Sequence, residues 1–193
     1  MADRPVLHGL LLAAGGSSRF DGIKQLARFE DESLLRRAAS AACEVLGSRV
    51  IVVLGSHADR LLTELDGLDI ASVMNADWHR GLGSSLSRGI AALPAESDAA
   101  LVMLCDQPFV GAGVLQRLVT AWRREPHRLA ASEYEDTLGV PAVIPRRFFG
   151  ELLRLTGDRG AKPLLHAHEV DVVRVPVPEA AVDVDTQAEL AAL

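Results

Sequence analysis

The sequence of 193 residues contains only two cysteines, Cys43 and Cys105, which lie far apart in apolar surroundings. It has no C-x-x-C or H-E-x-x-H motif, and its six histidines are scattered along the chain. Cysteine usage of this kind predicts buried free thiols in a reducing compartment, which we take to be the cytoplasm. The same absences argue against a structural zinc site.

The sequence also lacks an excess of positive charge and a long apolar run. Lys and Arg number 20 against 26 Asp and Glu, so the formal net charge is −6. This balance argues against nucleic acid or an anionic membrane as a partner. The first apolar run ends at Ala14, is too short to span a bilayer, and leads into a glycine-rich loop rather than a cleavage site. We therefore expect neither a membrane span nor a secretory leader.

Apolar strand patterns alternate with helical patterns along most of the chain. The predicted strands are VLHGLLLAA, RVIVVLG, IASVMN, DAALVMLCDQP, RLAAS, GVPAVIP and DVVRVPV. The predicted helices are ESLLRRAASAACEVL, ADRLLTELDGL, GSSLSRGIAAL, VGAGVLQRLVTAWRRE, RRFFGELLRLT and DTQAELAAL. Either Asp185 or Thr186 can serve as the N-cap of the last helix.

This alternation predicts an α/β fold, with a doubly wound, mostly parallel sheet covered by helices on both faces. The sequence shows no internal repeat and no Pro-, Gly- or Ser-rich linker. We therefore expect residues 1–193 to form a single Rossmann-like domain. In such sheets, ligands bind at the carboxyl ends of the strands, so the residues that follow each strand are the candidates for a site.

The stretch after the first strand, LLLAAGGSSRFDGIKQLARF, combines glycines, serines and two cations. Its glycines, Gly15, Gly16 and Gly22, do not match the G-x-G-x-x-G dinucleotide fingerprint. They do not match the P-loop either, because five residues separate Gly16 from Gly22 and Ile23 precedes Lys24. Glycine backbones in a turn nevertheless allow N–H groups to bind an anion closely. The loop therefore predicts phosphate binding of another kind.

From Leu12 to Leu26 the sequence follows the pattern L-A-A-G-x-S-x-R-F-x-G-x-K-x-L, which resembles the signature loop of nucleotidyltransferases. Four later segments resemble MobA-like nucleotidyltransferases of the molybdenum-cofactor cytidylyltransferase type, in the order of that family. They are NADWHRGLGSSLSRGI, CDQPFV, GVPAVIP with LLRLTGDRGAK, and VDVDTQAEL. One departure is Asp21, which stands where family loops usually carry glycine.

The resemblance implies a Mg²⁺-dependent enzyme that transfers CMP from CTP to the molybdopterin cofactor and releases pyrophosphate. Guanylyl transfer from GTP to the same cofactor is the nearest alternative, and a sugar phosphate is another conceivable acceptor. A non-catalytic nucleotide- or cofactor-binding role beside a molybdoenzyme is an alternative of a different class. A molybdoenzyme or its chaperone is in either case the expected protein partner.

The resemblance also implies roles for individual residues. It assigns Arg19, Lys24 and Asp106 to catalysis, and Asp106 with Asp185 to the metal, Asp183 being the reserve for Asp185. The expected nucleotide-binding residues are Leu12, Ala13, Ala14, Gly15, Gly16, Lys24, Gly83, Ser84 and Ser85. The expected acceptor-binding residues are Gly139, Asp158 and Arg159.

Structural alternatives stand beside these roles. Asp106 could cap the turn before Pro108, and Asp185 could cap the last helix without binding metal. The two serines at positions 84 and 85 could be helix caps, and TGDRG could be a solvated loop.

Overall fold

The computed structural model describes residues 5–193. Its strands are β1 (Leu7–Leu12), β2 (Arg28–Phe29), β3 (Glu32–Ser33), β4 (Val50–Leu54), β5 (Ala71–Met74), β6 (Ala99–Leu104), β7 (Leu129–Tyr134), β8 (Thr137–Pro145) and β9 (Val172–Pro176). Its helices are α1 (Leu34–Leu46), α2 (Ala58–Glu64), α3 (Leu82–Ala91), α4 (Ala112–Arg124), α5 (Phe149–Leu152), α6 (Lys162–Ala167) and α7 (Gln187–Ala191).

Seven strands form one sheet in the order β5–β4–β1–β6–β8–β7–β9, and β2 pairs with β3 in a separate two-stranded ribbon. Strands β1, β4, β5 and β6 are parallel, as are β7 and β9. The predicted α/β class with a mostly parallel sheet is therefore confirmed. Strand β8 is the exception in this sheet, because it runs antiparallel to both of its neighbours.

The direction of β8 follows from its connection to β7. The two residues between these strands, Glu135 and Asp136, have φ angles of 47° and 57°. Two successive residues with positive φ are typical of a tight hairpin turn, and so short a turn can only join antiparallel strands. A parallel connection would need a crossover of a dozen or more residues.

The core consists of two layers, one on each face of the sheet. In β1, Leu11 packs with residues of α1 and α4, whereas Leu10 and Leu12 pack with residues of α3 and α5. Alternate side chains of a strand point to opposite faces, so a strand that is apolar throughout must be covered on both sides. The helices therefore lie on both faces, and the strand ends stay open for a site.

Some local predictions were wrong in extent. The helix expected over RRFFGELLRLT is reduced to a 3₁₀ turn at Arg146–Phe148 followed by the single turn of α5. Gly150 lies inside α5, and glycine is a poor helix former. Helix α6 and the β2–β3 ribbon were not predicted; Pro163 lies in the first turn of α6, where its fixed φ suits a helix start.

Within residues 5–193, no helix is long and apolar enough to cross a membrane. Both cysteines are free thiols, of which Cys105 is buried and Cys43 is half-buried.

Candidate active site

The loop after β1 is held in shape by one buried side chain, Gln25, which is 3% exposed. Its Nε2 donates to the carbonyl oxygens of Ala13 at 3.2 Å and Gly15 at 2.8 Å. Its Oε1 accepts from the Ser17 hydroxyl at 2.9 Å, and that hydroxyl oxygen accepts from the backbone N–H of Lys24 at 3.1 Å. These bonds fix the path of the loop from the end of β1 to Lys24.

The two adjacent glycines of the loop have different surroundings. A Cβ on Gly16 would lie 2.8 Å from the ring of Trp78, so a larger residue would displace that ring. A Cβ on Gly15 would meet no atom of the described part of the chain within 4 Å. Packing therefore explains the glycine at position 16, whereas the backbone at position 15 faces open space in which a ligand could approach it.

Lys24 joins two carboxylates that are distant in sequence. Its Nζ lies 2.8 Å from Oδ2 of Asp106 and 3.0 Å from Oδ1 of Asp185. The Lys24, Asp106 and Asp185 side chains are 16%, 18% and 26% exposed, respectively. Arg19 reaches the second oxygen of Asp185 at 2.8 Å, but its side chain is 74% exposed. The structure thus brings together Arg19, Lys24, Asp106 and Asp185.

The topology explains this meeting. Strands β1 and β6 are neighbours, so the loop after β1 and Asp106 after β6 reach the same edge of the sheet. The C-terminal segment is tied to the same place, because the backbone N–H of Val184 donates to the carbonyl oxygen of Asp106 at 2.9 Å.

The charges in this group raise the pKa values of Lys24 and Asp183. Burial alone would lower the pKa of Lys24, but attraction and hydrogen bonds from Asp106 and Asp185 outweigh it and raise that pKa. Desolvation raises the pKa of Asp183, and repulsion by Asp106 and Asp185 raises it further. Asp183 itself is exposed.

The donor set fits a hard divalent cation. Oδ1 of Asp106 is buried and has no hydrogen-bond partner among the described residues, and Oδ2 shares Lys24 with Asp185. Mg²⁺ typically binds through one or two carboxylates and completes its shell with water and substrate phosphates. Within residues 5–193 there is no group of three or more His, Cys, Asp or Glu side chains placed to hold a metal. A cation here would therefore need ligands from a substrate or water.

The structure decides between the two possible caps of the last helix. Thr186 is the N-cap of α7, because its hydroxyl oxygen accepts from the backbone N–H of Glu189 at 3.2 Å. The Glu189 carboxylate accepts in return from the N–H groups of Asp185 and Thr186. The carboxylate of Asp185 is not used as a cap and pairs instead with Lys24 and Arg19.

A cleft of about 350 Å³ lies between the glycine loop and the start of α3. Of the residues predicted to bind the nucleotide, Leu12, Ala13, Ala14, Gly15, Gly16, Lys24 and Ser85 line it. Gly83 and Ser84 are not among its lining residues. The N–H of Gly83 donates to the carbonyl oxygen of Gly157 at 2.9 Å, and the Ser84 hydroxyl donates to that of Gly81 at 2.8 Å.

The residues predicted to bind the acceptor are not grouped in this cleft. Asp158 lines it together with Lys24 and Asp106, whereas Arg159 is exposed outside its lining. Gly139 is buried in β8, where a Cβ would overlap the hydroxyl of Tyr134. Asp158 therefore lies on the side expected for the nucleotide, and Gly139 is explained by packing.

Sequence reasoning did not single out Gln25 or Trp78 as parts of the site. Gln25 is a polar residue directly after Lys24, and nothing in the pattern indicates its burial. Trp78 entered only as part of the segment NADWHRGLGSSLSRGI. A large aromatic residue within the polar segment NADWHRG was the available signal. The unusual Asp21 is exposed, so its charge faces solvent.

Comparison with known proteins adds to this geometry. A family model described as the MobA-like NTP transferase domain matches residues 9–172. The nicotine blue oxidoreductase of Paenarthrobacter nicotinovorans is 30% identical, over 97% of this chain and 96% of that protein.

Solved structures show the same similarity. Rv0371c from Mycobacterium tuberculosis H37Rv superposes with a TM-score of 0.82 at 30% identity, covering 98% of this chain and 97% of that one. Rv0371c has also been solved in complex with manganese, with a TM-score of 0.73 at 28% identity over 91% and 89% of the two chains. Molybdopterin-guanine dinucleotide biosynthesis protein A from Archaeoglobus fulgidus has a TM-score of 0.69 at 14% identity, over 96% and 95%.

Proposed function

Because the chain belongs to the MobA-like NTP transferase family and is a nucleotidyltransferase, we propose that it transfers CMP from CTP to the molybdopterin cofactor. Pyrophosphate is the second product. The observation that carries this proposal is the cluster in which Lys24 contacts both Asp106 and Asp185 beside the glycine-loop cleft. In this proposal residues 1–193 act as one domain in the cytoplasm and deliver the product to a molybdoenzyme.

The chain's own residues would carry most of the reaction. Backbone N–H groups around Gly15 would bind the triphosphate, and Arg19 with Lys24 would neutralise the charge on it. An acceptor phosphate oxygen would then attack the α-phosphorus in line with the departing pyrophosphate. Since phosphate monoesters are already ionised at neutral pH, no general base is required, and His79 receives no role.

Asp106 and Asp185 would hold Mg²⁺. When bound, the ion supplies positive charge that stabilises the phosphate oxygens during transfer. The manganese complex of Rv0371c supports a divalent cation in this family. The buried Oδ1 of Asp106, which has no hydrogen-bond partner within residues 5–193, supports its place in this chain.

The choice of CTP rests on the resemblance of the loop, with its AAGG sequence and no acidic residue directly before Lys24. GTP is the alternative, and it is supported by the structural similarity to the archaeal molybdopterin-guanine dinucleotide biosynthesis protein. A panel of CTP, GTP, ATP and UTP distinguishes the two. Preferential consumption of GTP would reverse the assignment, and turnover with a sugar phosphate in place of the cofactor would change the acceptor.

The decisive experiment measures pyrophosphate release with and without molybdenum cofactor, in the presence of Mg²⁺. We expect release from CTP only when the cofactor is present, and a loss of about 10³-fold or more in Asp106→Asn, because a carboxylate that would hold the Mg²⁺ ion is removed. Asp59→Asn, an exposed change in α2, serves as the matched control and should retain activity. If none of the four nucleotides released pyrophosphate in the presence of the cofactor, the proposal would be refuted.

Two other functions give different outcomes. A non-catalytic binding partner would bind nucleotide equally well before and after Asp106→Asn, with no turnover in either protein. An oxidoreductase is the second candidate, because the 30%-identical relative carries that name over nearly its whole length. Incubation with nicotine blue and reduced nicotinamide or flavin donors tests it, and consumption of the donor would favour that activity.

A further inference from the structure

A second cleft, of about 340 Å³, lies across α3 from the glycine loop. Ser85 lines the first cleft, whereas Ser84, Ser87 and Arg88 line the second, so the helix separates the two. Arg80 completes the cationic part of its wall. We call this the Arg80–Arg88 cleft, and the transfer reaction proposed above does not use it.

The charge of this cleft favours an anion. Arg80 and Arg88 are both exposed, and within residues 5–193 neither forms an ion pair. Asp77 contributes one carboxylate to the wall, so two cations face one anion. The Arg88 Nε donates to the carbonyl oxygen of Met74 at 3.0 Å, which anchors the side chain and leaves its terminal nitrogens for a ligand.

The floor of the cleft is polar and fixed. Asn75 is 4% exposed, and its Nδ2 donates to the hydroxyls of Ser84 and Ser85 at 3.0 Å each. Its Oδ1 accepts from the backbone N–H of Asp77 at 3.0 Å. Because these groups are satisfied by one another, the floor is held by its own hydrogen bonds.

The apolar part of the lining comes mainly from the segment after α5. Leu153 and Leu155 contribute it together with Ala91 of α3, and the Ser87 hydroxyl donates to the carbonyl oxygen of Leu153 at 3.0 Å. This bond ties the segment to α3. The cleft therefore offers both guanidinium groups and aliphatic surface, which suits a small organic molecule with one anionic end.

We propose that the Arg80–Arg88 cleft is a second ligand site, which binds a small organic oxyanion through its two arginines. A carboxylate and a phosphate share the oxygen geometry that a guanidinium recognises, so both belong to this class. The site is distinct from the glycine-loop cleft, and its existence does not depend on which nucleotide the enzyme uses.

The test is a titration of the isotopically labelled 193-residue protein with inorganic phosphate and, separately, with succinate, at constant ionic strength and followed by amide chemical shifts. We expect saturable shifts at Ser84–Arg88 and Thr156 with at least one of the two probes. Phosphate should also shift Gly15–Lys24, which reports the first cleft separately. Which probe acts identifies the ligand as a phosphate, a carboxylate or either.

The double variant Arg80→Gln/Arg88→Gln should weaken binding at the second cleft by about tenfold or more, because charged hydrogen bonds are lost. The shifts at Gly15–Lys24 should persist in this variant, which shows that it is folded. Arg60→Gln, an exposed change in α2, should alter neither site. The absence of saturable shifts at Ser84–Arg88 with both probes, or equal affinity in the double variant, would overturn the proposal.

Discussion

The buried Gln25 gives the sharpest test of how the glycine loop is built. The substitution Gln25→Met keeps a side chain of similar length but removes the hydrogen bonds to Ala13, Gly15 and Ser17. Each such bond contributes roughly 0.5–1.5 kcal/mol, so we expect the free energy of unfolding to fall by about 2–3 kcal/mol. The bond to Ala13 is fully buried and should account for the largest share.

The same change should weaken nucleotide binding more than its effect on stability alone explains. Without Gln25 the backbone between Gly15 and Ser17 is no longer fixed, so ordering the loop would cost free energy at the moment of binding. Small displacements of a positioning group can reduce rates by about 10²-fold. Urea denaturation measures the stability, and titration of CTP against the tryptophan fluorescence measures the affinity, since Trp78 packs on the loop.

The matched control is Gln116→Met on the exposed face of α4, where, among the described residues, the amide donates only to the Thr120 hydroxyl. This variant makes the same chemical change without affecting a buried loop, so its free energy of unfolding should change by no more than about 0.5 kcal/mol. If Gln25→Met were as stable as the control and bound CTP equally well, the loop would not depend on this side chain and the reasoning would be refuted.

Three further predictions concern single sites. Burial lowers the pKa of His8 below its ordinary value of 6.5, so the unfolded chain binds more protons than the folded chain below that pH. The free energy of unfolding should therefore fall as the pH drops below 6.5. Urea midpoints measured across this pH range should fall less in His8→Asn than in the original protein. Burial raises the pKa of Cys105 to about 12, so iodoacetamide at mildly alkaline pH should modify Cys43 first. Peptide mapping identifies the labelled residue, and labelling of Cys105 before Cys43 would contradict the burial of Cys105. Gly16→Ala should reduce CTP affinity several-fold because the new methyl group displaces the packed tryptophan ring, whereas Gly113→Ala, with open space around it in α4, should leave the affinity unchanged.

The meeting of Lys24 with Asp106 could be predicted from the sequence for a physical reason. Each residue follows a strand that is apolar throughout, and such strands belong to the centre of a parallel sheet. The carboxyl ends of adjacent parallel strands lie at one edge, so the loops after them must be close. The strand pattern and the rule of topology placed both residues after strands, whereas their assignment to one catalytic group came from the family resemblance.

The position of Gln25 could not be predicted in the same way. Its burial arises because the loop folds back over its own start at Ala13. A contact of this kind leaves no periodic pattern of apolar residues in the sequence. The hairpin at Glu135–Asp136 was hidden for a related reason, since its turn contains neither the glycine nor the asparagine that usually indicates positive φ. The cap of α7 was readable, because Thr186 followed three residues later by Glu189 is the capping-box pattern.

The parts of the candidate site come from very different distances along the chain, and this bears on when each part can form. The hydrogen bonds of Lys24 join residues 82 and 161 positions apart, so the charged cluster forms only when the whole sheet is assembled. The glycine loop, in contrast, is local, because the side-chain hydrogen bonds of Gln25 that fix it join residues no more than 12 positions apart. The loop therefore takes its shape from nearby residues, whereas the charges beside it depend on contacts between segments that are distant in sequence.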